Sequence, residues 1–289
     1  MEVRPYRSAD EDAVLALWAQ MPEFVPAPIH RGTLRLGGAY DIHVVAMDGE
    51  RIAAYGAGFR PPWATQDGIV FVRVSVDSDH RGDGRGSRMW EIVRAGLGPA
   101  KTLMCAVSDL DERSLHIAQH WGFEAIQHPI ESAITWTERP SAAVLPDGYR
   151  FEMLDDVRNV DRPDLDRLLS RADTSPESAV IGVSQVAGFA ASSYPVLALV
   201  VHDAAGPAGA IFVTGEGTDA DVLLTAVHPD HRRRGLARAL KQEMHREAFE
   251  RGFRRLATSN EASNTGIRAL NREMGYVRVR GAHRLRLDL

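Results

Sequence analysis

Apolar residues along this chain fall into short strand-like bursts separated by helical stripes, and the same order occurs twice. The clearest burst is Val70, Val72, Val74 and Val76, apolar at every second position, which is the period of a strand with one face buried. Met89, Trp90, Val93 and Leu97 then recur at helical spacing, and Leu103, Cys105 and Val107 alternate again. Ser114 to His120 reads as a second helix that stops at Trp121-Gly122-Phe123, since glycine accepts the left-handed conformation that a helix C-terminus favours. Ala133 to Trp136 is the strand expected to close this sheet. Upstream, Val3 to Tyr6 predicts an opening strand, Glu11 to Gln20 a helix with Val14, Leu15, Leu17 and Trp18 inward, and Asp48-Gly49 a hairpin between His43–Ala46 and Arg51–Phe59. Met21 to Ile29 is too rich in proline for regular structure and is a candidate border of a substrate groove.

The second half follows the same plan. Tyr149 to Met153 is its opening strand, and a helix after Asp161-Arg162-Pro163 carries Leu165, Leu168 and Leu169. Asp173 to Tyr194 is polar and poorly periodic, in the place of the proline loop. Pro195–Val201 and Ala208–Val213 form a hairpin leading to Val222–Val227. Leu236, Leu240 and Met244 make the inward stripe of the next helix, and Leu256, Thr258 and Asn260 line one side of the next strand. Arg81 corresponds to Arg232, an offset of 151, and Gly122-Phe123 to Gly275-Tyr276, an offset of 153. Such near-constant offsets imply a duplicated domain: residues 1–137, a Pro-bearing linker over 138–148, and residues 149–289. The fold class expected is α/β, each copy a mixed sheet flanked by helices.

Between the central strand and the following helix both copies carry Arg-x-x-Gly-x-Gly/Ala. A helix start presents backbone N–H groups without partners and a partial positive charge, so it binds phosphate where glycine lets the backbone come close. Gly84 and Gly86, like Gly235 and Ala237, allow that approach, and arginine adds charge-assisted hydrogen bonds suited to a diphosphate. A strand-to-helix turn using glycine for geometry alone is the plainer reading; duplication in the same context weighs against it. No G-x-x-x-x-G-K-[ST] is present, and Ser87 breaks G-x-G-x-x-G at Gly82, Gly84 and Gly86, which disfavours triphosphate hydrolysis and dinucleotide binding.

Charge and composition narrow the function further. Residues 1–140 carry a net charge of −5 and residues 141–289 a net charge of zero, so neither half has the basic footprint of a nucleic-acid binder. The cluster Arg232, Arg233 and Arg234 is the local exception. No apolar run approaches the roughly 18 residues of a membrane span and Met1–Arg4 starts no signal peptide, so a cytoplasmic protein is expected. Cys105 is the only cysteine, and no spacing of His, Cys and carboxylates suggests a metal. Nothing in the sequence sets an oligomeric state.

Both halves resemble the GCN5-related N-acetyltransferase (GNAT) family, whose acetyl-CoA motif is Gln/Arg-x-x-Gly-x-Gly/Ala, here Arg81 to Gly86 and Arg232 to Ala237. The match extends to Val227-His-Pro-Asp-His-Arg232 before the motif and to Asn264 and Gly275-Tyr276 after it. The resemblance implies a sheet that splays between its fourth and fifth strands, with the pantetheine arm of acetyl-CoA pairing with backbone there. It assigns cofactor contacts to Ala226, Val227, Arg232, Arg233, Arg234, Gly235, Leu236, Ala237 and Asn264. In the first copy it assigns them to Val74, Val76, Arg81, Gly82, Gly84, Arg85 and Gly86. The activity it implies is acetyl transfer to a primary amine by direct attack on the thioester, with a base for the ammonium proton and an acid or hydrogen bond for the departing thiolate.

The copies are unequal in these parts. Some members place a catalytic carboxylate 11 residues before the motif; that position is Asp221 in the second copy and Val70 in the first. A solvated strand-end aspartate is the plain alternative for Asp221. The position of the family's frequent tyrosine acid holds Asn271 and Ala118, and Asp111 stands where the second copy has Asn264. Asp83 puts an anion inside the first turn, opposite to Arg233 and Arg234. The second copy is therefore the expected catalytic one, on a small amine, with the first degenerate or regulatory. The competing readings are a non-catalytic acyl-CoA-binding protein and activity residing in the first copy, whose glycine motif is complete.

Overall fold

The computed structural model describes residues 2–22, 28–60, 67–158, 160–172, 186 and 195–289. The core of the proline loop and nearly all of Asp173 to Tyr194 lie outside them. The described chain forms two compact units: 1–130 with 261–263 and 279–289, and 131–260 with 264–278.

In the N-terminal unit, β1 (Glu2–Pro5), β2 (Tyr40–Asp48), β3 (Arg51–Phe59), β4 (Ile69–Val76) and β5 (Thr102–Ser108) lie side by side in chain order. The last pair is parallel and the others antiparallel. Beyond β5 lies residues 282–288 of the chain's last strand, β13 (Val277–Asp288), antiparallel to it. One face of this sheet is covered by α3 (Arg85–Gly96), whose buried Met89, Trp90 and Val93 pack on Val70, Val72 and Leu103. The other face packs Val14, Leu15, Leu17 and Trp18 of α1 (Glu11–Trp18) against Val45, Tyr55 and Ala57. The valines of β4 thus face α3, as their alternation predicts. A short α2 (Pro28–Leu34) follows α1, and α4 (Glu112–His120) follows β5, with β6 (Glu124–Gln127) pairing β13.

The C-terminal unit runs β8 (Arg150–Leu154), α5 (Pro163–Ala172), β9 (Val196–His202), β10 (Pro207–Glu216), β11 (Asp219–Val227), α6 (Leu236–Glu250), β12 (Arg255–Glu261) and α7 (Thr265–Glu273). Its strands are ordered β8, β9, β10, β11, β12, and beyond β12 comes β7 (Pro129–Thr135). Leu236, Leu240 and Met244 of α6 pack with Leu199, Ile211 and Val213 on one face, while Leu165, Leu168 and Leu169 of α5 pack with Val200, Ala210 and Phe212 on the other.

The repeat places Ala133 to Trp136 in the first sheet, and here the structure differs. Ile134 and Trp136 belong to the core of the C-terminal unit, and the Trp136 N–H donates to the Arg254 carbonyl at 2.9 Å. The chain's last strand fills the equivalent place in the N-terminal unit. Periodicity shows that a strand buries one face and is blind to which sheet receives it, so an exchange of closing strands leaves no trace in the pattern. The Pro-bearing stretch is held on the C-terminal unit, where Arg139 pairs with Glu250 at 2.5 Å and the Ala143 N–H donates to Glu243 at 3.1 Å.

Both Gly-aromatic pairs end a helix as their sequence predicts. Gly122 and Gly275 take φ of 95° and 90°. The Phe123 and Tyr276 N–H groups reach back to the Ala118 and Asn271 carbonyls, each at 3.0 Å, which satisfies carbonyls that the helix end leaves open. Among the described residues no helix is long and apolar enough to cross a membrane.

Candidate functional site

The site is built where two parallel strands part. In the C-terminal unit β11 pairs with β12 only from Asp219↔Arg255 to Val222↔Thr258, although β11 continues to Val227. The parting coincides with a bulge: on the other edge Phe212 faces Leu224 and Val213 faces Val222, so Leu223 is an extra residue in β11. A bulge bends and twists the strand that carries it, which turns residues 223–227 away from β12 and leaves their edge without a strand partner. Thr225 in this stretch has its Oγ1 buried without a hydrogen-bond partner. Backbone that is open along one edge next to an orphaned hydroxyl fits an amide-bearing arm laid down as an extra strand.

The N-terminal unit parts as well. Its β4 and β5 pair only from Ile69↔Thr102 to Phe71↔Met104, leaving Val74 and Val76 in the open stretch. Its β3–β4 ladder runs without a register shift from Ala54↔Val76 to Phe59↔Phe71, so the bulge belongs to the second copy alone.

At the end of β11 the chain makes a single 3-10 turn, Pro229–His231, and enters α6 through Gly235 at φ 82°. Within the described residues no side chain is bonded to the N–H groups of the first turn of α6, which leaves donors and the positive end of the helix dipole facing outward. Arg232, Arg233, Arg234 and Gly235 are exposed. Each arginine has a different task. Arg232 donates through Nε to the Val227 carbonyl at 3.3 Å and through Nη2 to the Ala172 carbonyl at 2.9 Å, clipping the turn to β11 and α5. Arg81 makes the same Nε contact to the Val76 carbonyl at 3.1 Å. Arg234 donates to the Tyr149 hydroxyl at 3.3 Å, and that hydroxyl meets His231 Nδ1 at 2.8 Å. Tyr149 and His231 therefore brace the turn, a role the linear sequence gives no sign of because Tyr149 is 85 residues away. Arg233 has no hydrogen bond or ion pair within the described residues, and it holds φ 65°, the single positive value outside glycine among them. That conformation costs a side-chain-bearing residue about 1–2 kcal/mol, and the matching residue of the first copy is glycine, Gly82 at φ 92°.

The first turn is geometrically similar, with Gly84 at φ 84° capping α3, and chemically different. Asp83 occupies the helix start itself: its Oδ1 accepts the Arg85 N–H at 3.1 Å and its Oδ2 accepts Arg85 Nε at 2.7 Å. The N–H group that would meet a phosphate is bonded to the protein's own carboxylate, and a phosphate brought there would meet a like charge.

The remaining residues singled out by sequence lie around the splay. Asp221, partly buried, stands one residue before the last β11–β12 pair, between Thr214 and Ala257, and before the bulge. Asn271 is 2% exposed; its Nδ2 donates to Asn260 Oδ1 on β12 at 2.7 Å, and its Oδ1 is buried without a partner. Asn260 lies two residues past Thr258, so this amide pair borders the open side of the splay. Asn264 and Asp111 share one local task, capping α7 and α4 through Oδ1: Asn264 accepts the Ile267 N–H at 3.3 Å and Asp111 the Ser114 N–H at 2.9 Å. Leu236 is buried in the core at the start of α6, while Ala237 is partly exposed next to the uncapped turn. Ala226 is buried against the α5 face and is paired with Ala210 of β10. Gly86 has only the Val76 side chain near a would-be Cβ, at 3.7 Å. No group of three or more metal-binding side chains exists among the described residues.

A profile of the acetyltransferase (GNAT) family matches residues 157–276. No curated protein matches the sequence. Among solved structures, a GCN5-related N-acetyltransferase from Sphaerobacter thermophilus superposes with a TM-score of 0.78 at 20% identity, over 99% of this chain and 95% of that one. A tandem GNAT protein from the clavulanic acid biosynthesis pathway gives 0.75 at 18% identity, over 99% and 98%. A putative acetyltransferase from Pyrococcus horikoshii gives 0.61 at 13% identity, over 100% and 89%. The segment that matches the GNAT family, residues 157–276, spans the bulged strand, the arginine turn and the Gly-aromatic helix end, and the chain over its whole length shares the fold of solved GNAT proteins, a tandem one among them.

Proposed function

We propose that the protein moves the acetyl group of acetyl-CoA to a primary amine of a small substrate, with the C-terminal unit holding the acetyl-CoA. One contrast carries this reading: the helix start after β11 is uncapped and surrounded by arginine, whereas the one after β4 is capped by Asp83. The diphosphate fits the N–H groups from Leu236 onward and the unpartnered Arg233, with Arg232 and Arg234 keeping the turn in shape. The pantetheine arm fits the open edge of β11 at Leu223–Val227, including the backbone of Ala226 and Val227. Acetyl-CoA supplies an activated acyl group, so the protein's own work is to align the amine and to remove its ammonium proton.

Asp221 is the base in this reading, directly or through a water, because it is the carboxylate closest in sequence to where β11 leaves β12. Asn271 donates one amide hydrogen to Asn260 and keeps its Oδ1 as a buried acceptor without a partner. It serves to orient a donor, and the leaving thiolate takes its proton from elsewhere. The N-terminal unit is a degenerate copy without its own acetyl-CoA.

A second reading has one observation in its favour: the frequent tyrosine acid is replaced by Asn271 and Ala118, which suits an acyl-CoA-binding protein without turnover. Thiol release from acetyl-CoA across a broad panel of amines, measured together with acetyl-CoA binding, separates the two. Amine-dependent release supports transfer, and saturable binding with no release on any amine supports the binding protein.

A further inference from the structure

Arg73 lies on β4 two residues past its last pairing with β5, inside the opening of the N-terminal unit. It belongs to the face that packs on α1, because it is cross-strand to Ala57, which in turn is cross-strand to His43. Its guanidinium lies over the ring of Trp18 at 4.1 Å. Beyond that ring contact it has no hydrogen bond and no ion pair within the described residues. The strongest charge influences on it come from the Tyr55 and Tyr40 hydroxyls, a second cation, Arg280, and the Cys105 thiol, and no carboxylate is among them. Burial pulls Arg73 below the usual arginine value. The same two cations, together with burial as the larger cause, hold His30 down to about 3, so the imidazole beside them is neutral.

Arg73 is partly buried, and a guanidinium desolvated in part and left without a counter-charge is costly, so proteins retain such groups where an anion completes them. The surroundings restrict that anion. The same face of the sheet is rich in aromatic rings, with Tyr40 and Tyr6 each stacked on His43 at 3.8 and 3.9 Å and Phe71 and Phe59 with centroids 5.9 Å apart. A highly hydrated inorganic ion gains little from such rings, whereas a planar organic carboxylate gains a bidentate partner in arginine and apolar contact in the rings.

We infer that the opening between β4 and β5 of the N-terminal unit binds a small organic carboxylate, with Arg73 as its ion-pair partner and Trp18 as the surface behind the guanidinium. The matched position of the second copy is Leu224 in the repeat alignment, so this chemistry is confined to one copy. The inference is independent of the transfer reaction, since it concerns binding in the unit that carries no acetyl-CoA in the proposal above.

The test is equilibrium binding of benzoate, phenylacetate, succinate and inorganic phosphate to the full chain, read by calorimetry and Trp fluorescence. The expected result is saturable binding of an aromatic carboxylate, weakened at least tenfold by Arg73→Met and unchanged by Arg233→Gly, which alters the other unit. Without ligand, Arg73→Met is expected to melt at or above the wild-type temperature, because it removes an uncompensated charge. No binding of any carboxylate, binding that Arg73→Met leaves intact, phosphate binding in preference to benzoate, or a lower melting temperature for Arg73→Met each overturns the inference. The last outcome would make the guanidinium a structural group.

Discussion

The Asp83 carboxylate accepts the backbone N–H of Arg85 at 3.1 Å, and the residue in the same place of the second turn is Arg234, which reaches outward to Tyr149 at 3.3 Å. Among the differences between two geometrically similar turns, this one reverses the charge at a helix start. The first turn is filled by the protein itself, and the second is left open to an anion.

Arg233 is expected to trade stability for affinity. Arg233→Gly relieves a left-handed side-chain-bearing residue, a relief of about 1–2 kcal/mol reduced by the roughly 0.5–1 kcal/mol of extra chain freedom that glycine brings to the unfolded state. The melting temperature should hold or rise slightly, while the acetyl-CoA dissociation constant rises about tenfold for a lost charge-assisted hydrogen bond. A thermal melt and a titration on the same sample check both. Unchanged affinity would remove Arg233 from the diphosphate site.

Asp221→Asn is expected to lower kcat/KM for the amine by about 10²–10⁴, the usual contribution of a general base, with acetyl-CoA affinity unchanged. Steady-state kinetics with a responsive amine decide it. A loss below about threefold would return Asp221 to a solvated strand residue.

Lys241 sets a pH dependence of stability. It is fully buried on α6, its ammonium has no hydrogen-bond partner, and it lies over the Tyr276 ring at 5.2 Å. Burial pulls it down from 10.5 to about 8. The folded state therefore gives up this proton before the unfolded state does. Between about pH 8 and 10.5 the unfolded chain holds more protons, and this group's contribution to stability rises with pH through that window. Below it the charged lysine is a burden of about 3 kcal/mol, at 1.36 kcal/mol per pKa unit. Lys241→Met should raise urea stability at pH 7 by an amount of that order and flatten the rise above pH 8. Destabilisation at pH 7 would contradict this account of the site.

Much of this was legible in the sequence, for identifiable reasons. Gly84, Gly235, Gly122 and Gly275 all have positive φ, and glycine at such points is a local signal that survives in one dimension. The valine alternation in β4 and the stripe Leu236, Leu240, Met244 report burial directly. What escaped depends on distant partners. The bulge at Leu223 is invisible because Leu223 and Leu224 are both ordinary strand residues. The exchange of Ile134 and Trp136 into the other core is invisible because hydrophobic patterning carries no address. Arg73 reads as one polar position in an alternating strand, and only the cross-strand row through Ala57 and the Trp18 ring reveals it as an unpaired charge. Asp83 was legible as an anion in the wrong place; that it bonds the helix start required coordinates.

The central claim is that one helix start, and not the other, takes the diphosphate of acetyl-CoA. Gly84 and Gly235 offer a matched pair of probes, since both have left-handed φ and nothing lies within 4 Å of a Cβ added at either. A glutamate at each therefore carries the same backbone penalty and differs only in which turn it blocks. Calorimetric titration of acetyl-CoA into the full chain should give a single equivalent for the wild type, a single equivalent for Gly84→Glu, and none for Gly235→Glu. Binding that survives Gly235→Glu and disappears with Gly84→Glu would contradict the account and move the acetyl-CoA to the N-terminal unit.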